Sequence, residues 1–84
     1  MGGTDKGKTR RQAEFGDRVR MARQRLELSQ EALAHAAGIN RTYIASLEAG
    51  QRNPSLETVV KLAVALKVDV AELVGGLQKV KGRS

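Results

Sequence analysis

Cysteine is absent from the 84 residues, which excludes disulfides and thiolate metal sites as supports for so short a chain. A core of this size is modest, and a second subunit is the support left open. No apolar run approaches the ~18 residues of a membrane span, and no signal-peptide pattern opens the sequence. A soluble, cytoplasmic protein is the expectation. There is one histidine, His35, and no glycine-rich phosphate loop, paired-carboxylate spacing or metal-ligand cluster. Catalysis, a metal and a cofactor are therefore not expected. With no ligand-binding domain attached, a small-molecule effector is not expected either, and the basic ends lack the apolar face that a membrane surface would hold.

Acidic residues are the minority, with 15 Lys and Arg against nine Asp and Glu for a net charge of +6. A polyanionic partner is one reading of that excess, and solvated tails are the other. Residues 1–28 hold eight basic and four acidic side chains, and residues 79–84 hold three basic and none acidic. Between them, 29–78 carries Arg41, Arg52, Lys61 and Lys67 against five acids, a net of −1. Charge alone does not choose between the two readings.

Proline is nearly missing as well. Only Pro54 interrupts the chain, β-branched runs of period 2 do not occur, and apolar residues recur at intervals of three and four. The pattern predicts an all-α fold of five helices, compact, in a domain over 11–74 between a flexible basic tail, 1–10, and a second basic tail, 75–84. Helix 1 is expected from about Arg11 to Leu26, with Phe15, Val19, Ala22 and Leu26 on one stripe and Arg18, Arg20 and Arg25 off it. Helix 2 follows the N-cap Ser29 and runs from Gln30 to Ala37, burying Leu33 and Ala37 before Gly38 ends it. Helix 3 begins after Asn40 and stops at Gly50. Helix 4 follows Pro54 and Ser55, from Leu56 to about Leu66. Helix 5 opens at Asp69, with Glu72 three residues on in the spacing of a capping box, and ends at Gly75-Gly76. Residues 77–84 read as a basic tail, although Leu77 and Val80 could extend a helix.

Three residues, Gly38-Ile39-Asn40, join helices 2 and 3, a length and a glycine that suit a helix-turn-helix. At 100° per residue, Tyr43, Ile44 and Leu47 of helix 3 fall on one side. Arg41, Thr42, Ala45, Ser46 and Ala49 fall on the other, within about 140°. An ordinary solvated face would be richer in Lys and Glu. Short side chains with one arginine and two hydroxyls let a helix approach another surface closely, and the major groove of B-DNA admits one helix.

The stretch "SQEALAHAAGINRTYIASLEAG" resembles the helix-turn-helix of the Cro/C1-type, phage-repressor-like DNA-binding family. Gln30 opens the motif, Leu33-Ala34 follow, Ala37-Gly38-Ile39 form the turn, and Ile44 and Leu47 anchor the second helix. "RNPSLETVVKLAVALKVDVAEL" continues the resemblance through the family's fourth and fifth helices, and "NRTYIASLEAGQRNPSL" is most similar to the controller proteins of restriction–modification systems. The resemblance implies a phage-repressor-like fold and a transcriptional regulator, with double-stranded DNA and a second copy of the chain as partners and RNA polymerase as a further candidate.

It also implies roles by position. Gln30 would bond a phosphate from the start of helix 2. Arg41 and Thr42 would reach base edges or flanking phosphates, Arg41 either reading a guanine or clamping a phosphate without reading sequence. The Tyr43 ring belongs to the inner side, while its hydroxyl could lean out to a phosphate. Ala45 and Ser46 would lie near bases or methyl groups, and Asn40, a helix cap, would touch the backbone as well. Arg52 and Asn53 sit where the family's loop meets DNA, or form plain surface loop. Arg23 and Glu48 match an arginine–glutamate pair that fixes helix 3 against helix 1, a structural role.

Helix 4 carries more apolar surface than one core needs. Leu56, Val59, Leu62, Ala63 and Leu66 make an inward stripe, and Val60 and Val64 widen the apolar arc to about 200° where roughly 100° would serve. With Val68, Val70, Leu73 and Val74 they suggest a twofold dimer interface, unless tails or helix 5 cover them within one chain. A dimer would place two recognition helices ~34 Å apart on a near-palindromic operator, which for a controller-like protein would include its own. The alternative is an antitoxin or anti-regulator of the same fold that acts through a protein partner.

Overall fold

Residues 9–80 are described by a computed structural model, and among them five α-helices and one 3₁₀ turn make up the regular structure, with no strand. The helices are α1 (Arg10–Arg25), α2 (Gln30–Ala37), α3 (Arg41–Glu48), α4 (Leu56–Leu66) and α5 (Val70–Val74), and the turn is Leu77–Lys79. Residues 1–8 and 81–84, the outer parts of both expected tails, lie outside the described residues.

Each helix starts where a side-chain oxygen takes up an amide hydrogen that the helix itself cannot satisfy. Ser29 does this for α2, Asn40 for α3, Ser55 for α4 and Asp69 for α5. At α1 the cap is Thr9, and Gln12 reaches back to the Thr9 amide at 2.8 Å, completing a reciprocal box. This box draws Thr9 and Arg10 out of the expected tail and into the domain. The box expected at Asp69 does not form. Asp69 Oδ1 accepts from the Ala71 amide at 3.1 Å, and the Glu72 amide bonds the Asp69 carbonyl instead. In a helix of five residues the Glu72 side chain stays in solvent.

The core is one cluster in which Val19, Leu33, Ile44, Leu47, Leu62, Leu66 and Leu73 are fully buried. Helix α2 packs on both α3 and α4, while α1 lies against α3 and α5. Of the stripe expected on helix 1, Phe15, Val19 and Ala22 are buried, but Leu26 caps the helix end and is exposed. Between them, Gly16 permits an unusually close approach. A Cβ there would overlap the Leu47 carbonyl oxygen and stand 2.9 Å from that of Glu48, so α1 rests directly on the backbone at the end of α3.

The expected C-terminal tail is corrected over 75–80. Arg18 Nη1 donates to the carbonyls of Gly75 at 2.7 Å and Leu73 at 3.3 Å, and Arg11 Nε donates to that of Leu77 at 2.9 Å. Two arginines off the apolar stripe of α1 thus satisfy carbonyls that a short helix leaves open, and Leu77 packs on the core.

The expected dimer set is corrected as well. Leu73 is 1% exposed and belongs to the core, because α5 folds back onto α1 and α4. Val68, Val70 and Val74 are half-buried against the same core. Leu56 shares its helical azimuth with buried Ala63 yet, at the first position of α4, is 76% exposed. Val60 and Val64 are 39% and 73% exposed, so helix 5 does not cover them.

Lys67 closes α4 in the left-handed region, at φ 59°. A side chain there costs about 1–2 kcal/mol per residue, which glycine avoids at the expense of ~0.4–1 kcal/mol of extra unfolded-state entropy. Lys67→Gly is expected to stabilise the fold by about 0.5–1 kcal/mol, read as a raised urea midpoint at unchanged m-value. An unchanged or lowered midpoint would show that the lysine stem packs usefully on α4.

Candidate nucleic-acid interface

The connection between α2 and α3 is built to turn sharply and then restart. Gly38 takes a left-handed conformation, φ 69° and ψ 35°, and the next amide, of Ile39, returns to the Ala34 carbonyl at 2.9 Å. Ile39 packs against the core and pins the turn. Asn40 Oδ1 then accepts from the amides of Thr42, at 2.7 Å, and Tyr43, at 3.3 Å. The caps and the packing of Ile39 together hold the three residues between the two helices.

Helix α3 is anchored by its inner face. Ile44 and Leu47 are fully buried and Glu48 is 6% exposed. Arg41, Thr42 and Ala49 are exposed, while Tyr43, Ala45 and Ser46 are half-buried. The outward face is therefore open mainly at the amino end of the helix. Arg41 has no hydrogen-bond or ion-pair partner among the described residues, which leaves its five donors available.

Farther along, Tyr43, with its ring on the inner side as expected, and Ser46 both engage a side chain of the loop that follows. Ser46 Oγ donates to the Tyr43 carbonyl at 3.1 Å and accepts from Arg52 Nε at 3.0 Å. The Arg52 guanidinium carbon lies 5.2 Å from the centroid of the Tyr43 ring. Ser46 and Tyr43 thus hold the exposed Arg52 alongside α3. Asn53 is exposed next to it.

Gln30 stands at the start of α2 and makes a contact inside the chain as well. Its Nε2 donates to Glu48 Oε1 at 3.0 Å, leaving one amide hydrogen for any outside acceptor. The same carboxylate takes a two-pronged contact from Arg23, Nε to Oε2 at 2.7 Å and Nη2 to Oε1 at 3.0 Å. Arg23 Nη1 donates in turn to the Leu28 carbonyl at 2.8 Å. The hydrogen bond to Glu48 raises the Arg23 pKa, burial opposes it, and the Coulomb attraction of Glu48 adds to the rise. One network therefore joins α1, the α1–α2 connection, α2 and the end of α3. The family resemblance marked Arg23 and Glu48. It missed Gln30 as their partner, a residue whose polar character fits either role, and it missed Gly16, whose neighbours lie some thirty positions away.

A capped turn, a short second helix anchored by its inner face and an open amino-terminal face define a helix-turn-helix DNA-binding module. The chain belongs to the helix-turn-helix family, whose model matches residues 19–73. Among its relatives, it is 44% identical over 59 residues to control protein C.SmaI of Serratia marcescens, covering 70% of each chain. Among solved structures, the restriction–modification controller protein C.AhdI of Aeromonas hydrophila is 46% identical and superposes with a TM-score of 0.71, over 73% of this chain and 92% of that one. The biofilm regulator SinR in complex with DNA is 33% identical, with a TM-score of 0.68 over 70% of this chain and 95% of that one. No helix among the described residues is long and apolar enough to cross a membrane.

Proposed function

We propose that the protein is a sequence-specific transcriptional regulator that binds a near-palindromic operator as a homodimer, with α3 in the major groove, and controls its own gene. The observation that carries this reading is the division of α3 into a face locked to the core and an open amino end bearing Arg41 and Thr42. Arg41 would read a guanine through O6 and N7, with Thr42 beside it. Arg52 and Asn53 would meet the phosphate backbone, joined by the cap Asn40 and by Gln30, the first residue of α2, from the two helix starts. Tyr43 and Ser46 act by steering Arg52, and Ala45 leaves room for close approach. The DNA-bound SinR neighbour supports the double-stranded partner, and the control-protein relatives support a regulatory role. Dimerisation is supported by the exposed stripe Leu56, Val60 and Val64. RNA polymerase would be met at the promoter, as a consequence of where the operator lies.

The test is a binding titration against DNA upstream of the protein's own gene, at two salt concentrations, with scrambled competitor. Arg41→Ala is expected to weaken specific binding by about 1–3 kcal/mol per half-site while leaving binding to scrambled DNA nearly unchanged. Equal affinity for both DNAs, lost with salt and indifferent to Arg41, would place binding in general charge attraction and overturn the reading.

A further inference from the structure

The outer face of α4 is arranged in a way that bears on how two copies would meet, and the inference rests on the homodimer reading above. Leu56, Val60 and Val64 follow one another at four-residue intervals, all exposed. At 1.5 Å per residue, Leu56 and Val64 stand about 6 Å to either side of Val60. A twofold axis through Val60 would therefore set Leu56 of one copy level with Val64 of the other, the reciprocal contact that an isologous patch makes. Stable interfaces bury about 800 Å² per partner, and three side chains fall short of that, so the residues flanking the stripe must be drawn in.

On one flank stand Glu57 and Lys61, each about 100° round the helix from Leu56 and Val60. Both are exposed, and among the described residues neither forms an ion pair, although the four-residue spacing would allow one. The opposite flank of Val60 consists of Val59 and Ala63, which are buried in the core.

The geometry points to an antiparallel pairing of α4 with α4 of a second copy, in which Val60 lies on the twofold axis. Leu56 packs beside Val64 of the partner subunit, and Glu57 pairs with Lys61 of the partner subunit, twice. In that register the charged flank of each helix stays on the same side. Glu57 lies about 4.5 Å before Val60 and the partner's Lys61 about 1.5 Å before it, an offset of roughly 3 Å along the helix. A parallel pairing would set the charged flank against the partner's core-facing side, where no charge waits. Charge complementarity selects the antiparallel register.

Full-length wild-type protein, Glu57→Lys, Lys61→Glu and an equimolar mixture of the two variants are compared by sedimentation equilibrium and native mass spectrometry, with circular dichroism confirming equal helicity. Each variant alone is expected to dimerise on the order of tenfold more weakly, because like charges then face each other twice. The mixture is expected to regain near wild-type affinity as the heterodimer, well above the statistical half. An ion pair confined within one helix would give no such preference. Dimers that mix statistically, or single variants that pair as tightly as wild type, would overturn the register while leaving the homodimer reading in place. A wild-type protein that stays monomeric throughout would overturn both.

Discussion

Replacing Arg23 by methionine is expected to destabilise the fold by about 3–5 kcal/mol, a large share of the ~5–15 kcal/mol that holds a domain together. The reason lies less in the lost attraction than in what remains. The Glu48 side chain is 4% exposed, and without the guanidinium its carboxylate keeps only the Gln30 amide as a partner. The Leu28 carbonyl loses its donor at the same time. A buried charge left with one neutral hydrogen bond is far more costly than an ion pair that never formed. Removing both charges, in Arg23→Met with Glu48→Leu, should therefore recover much of the stability, and a double-mutant cycle by urea unfolding would show the coupling. If the double variant is as unstable as the sum of the singles, the network contributes through shape and not through charge.

Gly16→Ala is expected to lower stability by up to about 2 kcal/mol, against the sign that helix propensity gives. Alanine favours a helix interior over glycine by about 1 kcal/mol, and position 16 lies well inside α1. The added methyl would, however, overlap the Leu47 carbonyl oxygen and crowd that of Glu48. Those atoms are main chain and cannot rotate aside, so α1 and α3 would have to separate, and overpacking of this kind costs about 1–3 kcal/mol. Thermal unfolding reads the result directly. A raised melting temperature would mean that the two helices have slack where the structure places them in contact.

Of the two positions, Arg23 was marked by the family resemblance, whereas Gly16 was not marked at all. Helix starts were legible because their causes are local: Ser29, Asn40, Ser55 and Asp69 each serve amides two or three residues away. The turn at Gly38 was legible for the same reason. Gly16 was not, because what it accommodates arrives from α3, and Gln30 was not, because a glutamine at a helix start gives no sign of the carboxylate that will reach it. Leu56 had the right azimuth for the core and the wrong height along the helix, a quantity that periodicity does not carry. The last segment, 77–79, has too little apolar content to declare itself, and its order depends on carbonyls meeting Arg11 and Arg18 across the chain. For the candidate site, the exposed Arg41 and Thr42 could be read from helical spacing. The inward engagement of Ser46 with Arg52 could not, since it depends on where the loop after α3 returns.

The anchoring of Glu48 has a mechanical corollary. Arg23, Gln30 and the backbone contact at Gly16 all grip α3 at its carboxyl end, whereas Arg41 stands at the other, seven residues and about 10 Å away. The helix is in effect a lever hinged near Glu48. A tilt of about 10° at the hinge would carry the tip roughly 2 Å, more than the ~0.5 Å tolerance of a well-defined binding contact. In the proposed complex, Arg23 and Glu48, which would touch no DNA, would thereby govern how sharply the tip discriminates, and a loosened hinge would blur recognition well before the domain unfolds.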